Sequence, residues 1–207
     1  MKRSLLVESI FLGVGLAALL ALTVFGAVYG IIPVIVVGAF MALVALWLLC
    51  GSIFREYEYE KFTKKFAQRD YAGALELLDK AVSNHFFYPV FRTVAYQLYV
   101  KGELAVDNLA EAAKYVDLLR RGGGEGWKYR TAFYVVLFNL DWGDFAAART
   151  EFLDFEKHCS HSERHMSEIE TLRSLIEHIE GSAEPYPESV KASPYPVVHR
   201  IVERSCQ

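Results

Sequence analysis

The chain has 207 residues, 53% of them hydrophobic, with a formal net charge of −3 and a mean hydropathy of +0.19. This balance lacks the concentrated basic face that nucleic-acid binders carry, so no nucleic-acid partner is expected. Its three cysteines, Cys50, Cys159 and Cys206, are odd in number and far apart, which argues against a disulfide framework and suits a reducing compartment.

Hydropathy is uneven along the chain. Between Glu8 and Arg55 stand 46 residues without a charge. A helix crosses ~30 Å of hydrocarbon with ~20 apolar residues, so this run is long enough for two. The predicted spans are residues 5–28 and 33–53. Between them Gly30 tolerates a tight turn and Pro33 suits a first helical turn. A cleaved signal peptide is the rival reading of the Met-Lys-Arg start. Against it, the apolar stretch exceeds the usual ~7–15 residues, a small-x-small cleavage site is missing, and a second span follows at once. Lys2 and Arg3 precede the first span, and Arg55, Lys61, Lys64 and Lys65 follow the second. Basic residues mark the cytoplasmic side. Residues 1–53 are therefore expected to form a transmembrane hairpin in a plasma membrane of bacterial type, with both termini cytoplasmic.

Small residues recur every fourth position in each span: Gly13, Ala17 and Ala21 in the first, Gly38 and Ala42 in the second. Such stripes let helix backbones approach closely. They are the predicted transmembrane packing positions, joining the two helices to each other or docking another membrane protein. Glu8, one turn inside the first span, is expected to reach the headgroup region.

From residue 54 onward the apolar residues fall at helical spacing. Phe91, Val94, Ala95, Leu98 and Tyr99 form one such stripe, and Met166, Ile169, Leu172, Ile176 and Ile179 another. Turns are predicted at Gln68-Arg69-Asp70, Lys101-Gly102-Glu103 and Trp142-Gly143-Asp144. The pairs Ser160 with Glu163 and Ser167 with Glu170 have capping-box spacing near a late helix start. No sustained two-residue alternation marks a strand, so the fold class is all-α.

Internal repetition is the strongest signal. The run from Asp70 to Leu78 is echoed from Asn108 to Tyr115 and again from Gly143 to Phe152, at steps of 38 and 36 residues. Each copy has Asp or Asn, an aromatic or Leu, a small Ala, and a bulky residue three or four positions on. The small Ala allows helices to cross closely while the bulky residue fills the next groove. On Asp70, Tyr71, Ala74 and Ala81 in the first copy, and Gly143, Asp144, Phe145 and Ala148 in the third, residues 54–158 resemble the tetratricopeptide repeat family. The resemblance implies a stack of about three helical hairpins over residues 54–181, with the helix at 162–180 as a cap.

A second pattern repeats with the hairpins. FREYEY at 54–59, FRTVAY at 91–96 and YRTAFY at 129–134 each place an Arg four residues before a Tyr. Residues four apart share a helix face, so Arg55 and Tyr59, Arg92 and Tyr96, and Arg130 and Tyr134 are candidate partner-binding pairs. Arg suits carboxylates and Tyr adds a rigid amphipathic contact. Arrays of the resembled family bind extended peptides along their first helices, which implies an acidic peptide or protein tail as the ligand. Reuse of one packing solution at each hairpin is the alternative.

Other motifs carry less chemistry. Gly122-Gly123-Gly124-Glu125-Gly126 lacks the Gly-Lys-Ser/Thr ending of a phosphate loop and no strand precedes it, so it reads as a helix stop. His158, Cys159, His161 and His165 are metal-ligand types without an evident fourth ligand, and neither a metal nor a cofactor is expected. No motif fixes paired carboxylates or a nucleophile, so no enzyme activity is predicted. Residues 182–207, with Pro185-Tyr186-Pro187 and Pro194-Tyr195-Pro196, read as a linker leading to a short helix at 197–204 packed back on the domain, with a partner-docking tail as the sharper reading. These features together predict a membrane-anchored helical-repeat adaptor that scaffolds proteins at the cytoplasmic face. The alternative is an integral accessory subunit of a transporter or secretion complex.

Overall fold

The computed structural model describes residues 2–30, 32–83, 88–122, 125–159, 162 and 165–205. Among them the elements are all α-helices: Lys2–Val28 (α1), Ile32–Ala67 (α2), Tyr71–Val82 (α3), Tyr88–Ala105 (α4), Leu109–Gly122 (α5), Glu125–Trp142 (α6), Phe145–Cys159 (α7), Met166–Ile179 (α8), Glu188–Lys191 (α9) and Pro196–Ser205 (α10). The chain forms two compact units, Met1–Lys61 with Asp79–Val94, and Phe62–Leu78 with Ala95–Gln207.

In the first unit, α1 ends where Gly30 takes the left-handed conformation, φ 67°. A side chain is strained there, which is why the turn uses glycine. The two helices meet at Gly38 of α2: a Cβ at that position would stand 2.4 Å from Thr23 Oγ1 and 3.4 Å from the Thr23 Cα. Gly38 and Ala42 are buried, whereas Ala17 and Ala21 on α1 are exposed. Gly13 is half-buried with nothing within 4 Å of an added Cβ. Large apolar side chains such as Val24, Val28, Val36, Phe40 and Leu43 are also exposed. The charge-free length of α2 is long and apolar enough to cross a membrane, and Gly13–Val28 is a shorter apolar helix. At ~1.5 Å per residue the whole of α2 is about 54 Å long, well beyond ~30 Å of hydrocarbon. No helix boundary falls at Ile53: FREYEY lies inside α2, which runs unbroken to Ala67. Ile31 and the side chains of Lys2, Arg3, Glu8 and Pro33 lie outside the described residues.

In the second unit one turn is built three times. Arg69, Asp107 and Gly143 all take the left-handed conformation, at φ 61°, 62° and 81°. The next residue closes the preceding helix in each case. Asp70 N–H donates to Lys65 O at 3.1 Å, Asn108 N–H to Glu103 O at 2.8 Å, and Asp144 N–H to Asn139 O at 2.8 Å. The left-handed residue donates three positions back, to Phe66, Leu104 and Leu140. This is the Schellman arrangement, and it satisfies carbonyls that a helix end leaves without partners. The closing residue then starts the next helix. Asp70 Oδ1 accepts from Gly73 N–H and Asp144 Oδ1 from Ala147 N–H, each at 3.0 Å, as N-caps do. A hydrogen bond from the Lys65 ammonium, then the one from Gly73 N–H, holds the Asp70 carboxyl below its ordinary range. Asn108 differs: its amide donates to Glu103 Oε2 at 2.8 Å.

Each of the three following helices buries the same register. Ala74, Leu78 and Ala81 on α3 correspond to Ala112, Val116 and Leu119 on α5 and to Ala148, Phe152 and Phe155 on α7. The core of the second unit gathers these α5 and α7 residues with Val100 and Leu104 of α4, Val136 and Leu137 of α6, and Leu172 and Leu175 of α8. Asp144→Ala is expected to lower stability by about 1 kcal/mol through loss of the cap. Gly143→Ala, where an added Cβ meets nothing within 4 Å, is expected to cost a similar ~1–2 kcal/mol from left-handed backbone strain alone. Thermal unfolding of the solubilised protein followed by circular dichroism checks both.

Two predicted local features are corrected. The second turn lies at Asp107-Asn108, not at Lys101-Gly102-Glu103, because α4 continues to Ala105. Gly102 is buried inside that helix, and a Cβ there would stand 2.5 Å from Leu75 Cδ2. The glycine permits close packing; it does not break the helix. Ser167 does not cap α8 either. The helix starts at Met166 after His165, which makes no side-chain cap bond, and the His165 ring pairs instead with Glu168 at 2.7 Å. Ser160 and Glu163 lie outside the described residues.

The predicted tail packs into the second unit. Gly181 closes α8 with a fourth turn of the same kind, φ 102°, but Pro185 and Pro187 follow, and Pro187 takes the extended conformation. Tyr186 stacks on His178 with ring centroids 3.7 Å apart, and its hydroxyl meets Ser205 Oγ. Val190, Val197, Val198 and Ile201 join the core.

Candidate functional site

The three Arg–Tyr pairs sit on α2, α4 and α6, and within the last two the members of each pair have different surroundings. Arg92 is exposed on α4, while Tyr96, one turn on, is half-buried with its ring 5.7 Å from that of Tyr115 on α5. Arg130 is exposed on α6, while Tyr134 is buried at 6% exposure, edge-to-face with Phe133 at 5.4 Å. The Tyr134 hydroxyl hydrogen-bonds the phenol of Tyr195. Burial pushes that phenol well above its ordinary range, the Glu168 charge adds to the rise, and the bond from Tyr134 opposes it. Arg55 and Tyr59 are both half-buried on α2. The cations at the surface of α4 and α6 are suited to carboxylates. The phenols of those two helices serve packing and a buried hydrogen bond.

Two aromatic groups outside the Arg–Tyr pattern stand at the turn between α6 and α7. Trp142 and Phe145 are 66% and 51% exposed and line a cleft of about 480 Å³ with Asp141, Ile179, Arg204 and Ser205. The cleft's polar groups are already engaged. Asp141 holds Arg200 and Arg204, and Ser205 holds Tyr186.

Among the described residues the histidine cluster does not assemble. His158 stacks on Tyr129 at 4.5 Å and its Nδ1 meets the Asp154 carbonyl. Cys159 is buried, and burial, then the Glu168 charge, pushes its thiol up. A thiol raised in this way is a poor ligand and a poor nucleophile. Among the described residues no three His, Cys, Asp or Glu side chains are grouped to hold a metal, and His161 lies outside them. The glycine run falls between the end of α5 at Gly122 and the start of α6 at Glu125, with Gly123 and Gly124 outside the described residues. Comparison of the chain with protein-family models, with curated proteins and with solved structures finds no match in any of the three.

Proposed function

We propose that the protein is a membrane-anchored helical-repeat adaptor. In this reading α1 and the apolar length of α2 form a transmembrane hairpin with both termini cytoplasmic, and tetratricopeptide-like hairpins bind a protein partner there. The observation that carries it is the turn built three times, with the same buried register after each cap, because repeated hairpins commonly serve as extended binding surfaces. The exposed apolar side chains of α1 and α2 support the anchor, since a patch of that kind is otherwise a liability in water. Exposed Arg92 and Arg130 support an acidic segment as ligand.

Crosslinking in native membranes followed by mass spectrometry is the direct test, and a chain that crosslinks to no protein would sink the adaptor reading. Once a partner is in hand, Arg92→Ala combined with Arg130→Ala is expected to weaken its binding roughly tenfold, about 1.4 kcal/mol. Unfolding temperature should hardly move, because exposed substitutions usually stay within about 0.5 kcal/mol. A large loss of helicity in the double variant would instead assign the arginines to packing.

The exposed Ala17 and Ala21 of α1 favour the second reading, an accessory subunit docked through its membrane helices. Exchanging residues 1–53 for an unrelated two-span hairpin separates the readings: an adaptor keeps its partner and a membrane-docked subunit loses it.

A further inference from the structure

The second unit holds a cleft of about 310 Å³ where the end of α4, α6, the start of α8, α9 and the residues before α10 come together. Small-molecule sites run from ~300 to 1,000 Å³, so this one suits a small solute. Its wall carries one charge of each sign, Lys101 from α4 and Glu168 from α8. No ion pair joins them. Lys101 is half-buried and has no hydrogen-bond or ion-pair partner among the described residues. Glu168 engages His165 Nδ1 through Oε2 at 2.7 Å, which leaves Oε1 for another donor.

A third group in the same wall is unsatisfied. Ser189 lines the cleft, and its Oγ is closed off from water without a hydrogen-bond partner. Buried hydroxyls are nearly always bonded, so an unbonded one beside a cleft marks a place for an acceptor. For the hydroxyl to reach an acceptor in the cleft, the Ser189 side chain must rotate about its Cα–Cβ bond to another staggered position. The apolar part of the wall includes Phe133 and Tyr195, whose rings lie 6.2 Å apart.

Opposite charges held apart in one small, partly desolvated space select for a matching dipole. Glu168 repels a simple anion and Lys101 repels a simple cation, and both penalties grow as water is excluded. A solute with both charges meets neither. We propose that this cleft binds a free α-amino acid. Its carboxylate sits on Lys101 and Ser189, its ammonium on Glu168, and an apolar side chain on the rings of Phe133 and Tyr195. The assignment is independent of the adaptor reading.

Calorimetric titration of the detergent-solubilised full chain tests it with three probes: L-leucine, 4-methylpentanoate, which lacks the ammonium, and 3-methylbutylamine, which lacks the carboxylate. L-leucine is expected to bind, and each truncated probe at least roughly tenfold more weakly. Lys101→Met keeps the apolar stem and has no partner to lose, so it should weaken L-leucine binding at least roughly tenfold while leaving the unfolding temperature in place. Glu168→Gln should bring L-leucine down to the affinity of 4-methylpentanoate. The proposal fails if L-leucine does not bind at concentrations on the order of 10 mM, above a ceiling of about −2.7 kcal/mol. It fails equally if 4-methylpentanoate binds as tightly as L-leucine, or if Lys101→Met leaves the affinity unchanged.

Discussion

Phe155→Ala is expected to lower the stability of the folded chain by about 3–5 kcal/mol, the range for emptying a core phenylalanine position. Phe155 is 1% exposed and belongs to the core that α5, α6, α7, α8 and α10 share. Its ring also meets that of His165 edge-to-face at 5.6 Å. The transfer of the ring to water accounts for part of the loss and the cavity left behind for the rest. For a chain of this size, each kcal/mol moves the unfolding temperature by ~2–4 °C, so a fall of roughly 10 °C is expected. Phe145→Ala is the control. That ring begins the same helix but is 51% exposed, and its removal should change stability by less than about 0.5 kcal/mol. Equal losses in the two variants would mean that α7 does not bury the register set by its cap.

Arg200→Met should have the next largest effect, about 2 kcal/mol. Its guanidinium reaches two acids that are far apart in sequence. Nε donates to Asp141 Oδ1 at 2.9 Å, and Nη1 donates to both oxygens of Asp107, at 3.0 and 2.9 Å. Asp107 is the left-handed residue of the second turn and Asp141 lies near the end of α6. One side chain therefore ties α10 to two other elements. The bonds to Asp141, then those to Asp107, raise the affinity of Arg200 for its proton, so the charge is present across the accessible pH range. Removing it leaves the Asp141 carboxylate, 9% exposed, with Arg204 as its one cation among the described residues. Hydrogen bonds to charged groups contribute ~1.5–3 kcal/mol, and an acid left in a buried place adds to the loss. Arg204→Met, at an exposed side chain, should cost under about 1 kcal/mol. If both variants fall equally, the two arginines are interchangeable and Arg200 is no tie.

Much of the second unit is readable along the chain because it is local. Asp70, Asn108 and Asp144 announce helix starts, and the Ala four residues later marks where the next helix comes close. These are short-range signals that depend on backbone hydrogen bonding and on the 3.6-residue period. Gly102 misled the reading for an equally physical reason. A glycine near charged residues has the look of a turn, but a helix also uses one where a neighbour comes too near for a Cβ, and that neighbour is Leu75. The Ser167 capping pair failed because His165 and Glu168 form their own bond at the start of α8.

The repeated Arg–Tyr skeleton shows the boundary between the two kinds of information. Spacing puts Arg92 with Tyr96, and Arg130 with Tyr134, on one side of a lone helix. It does not say which part of that side a neighbour covers, and the packing covers the tyrosines while the arginines stay exposed. Residues 182–207 follow the same rule. The prolines predict extended backbone, yet whether Tyr186 and Tyr195 face water depends on His178, Ser205 and Tyr134, all distant in sequence.

By itself, then, the sequence determined the helical class, the charge-free run long enough for two membrane crossings, and the position of two of the three repeated turns, since each follows from hydropathy or hydrogen bonding over a few residues. Only the tertiary structure decided that Arg200 bridges Asp107 and Asp141, and that Lys101, Glu168 and Ser189 line one cleft. Groups brought together from helices far apart in the chain obey no spacing rule, because their meeting is set by how whole faces of helices bury each other.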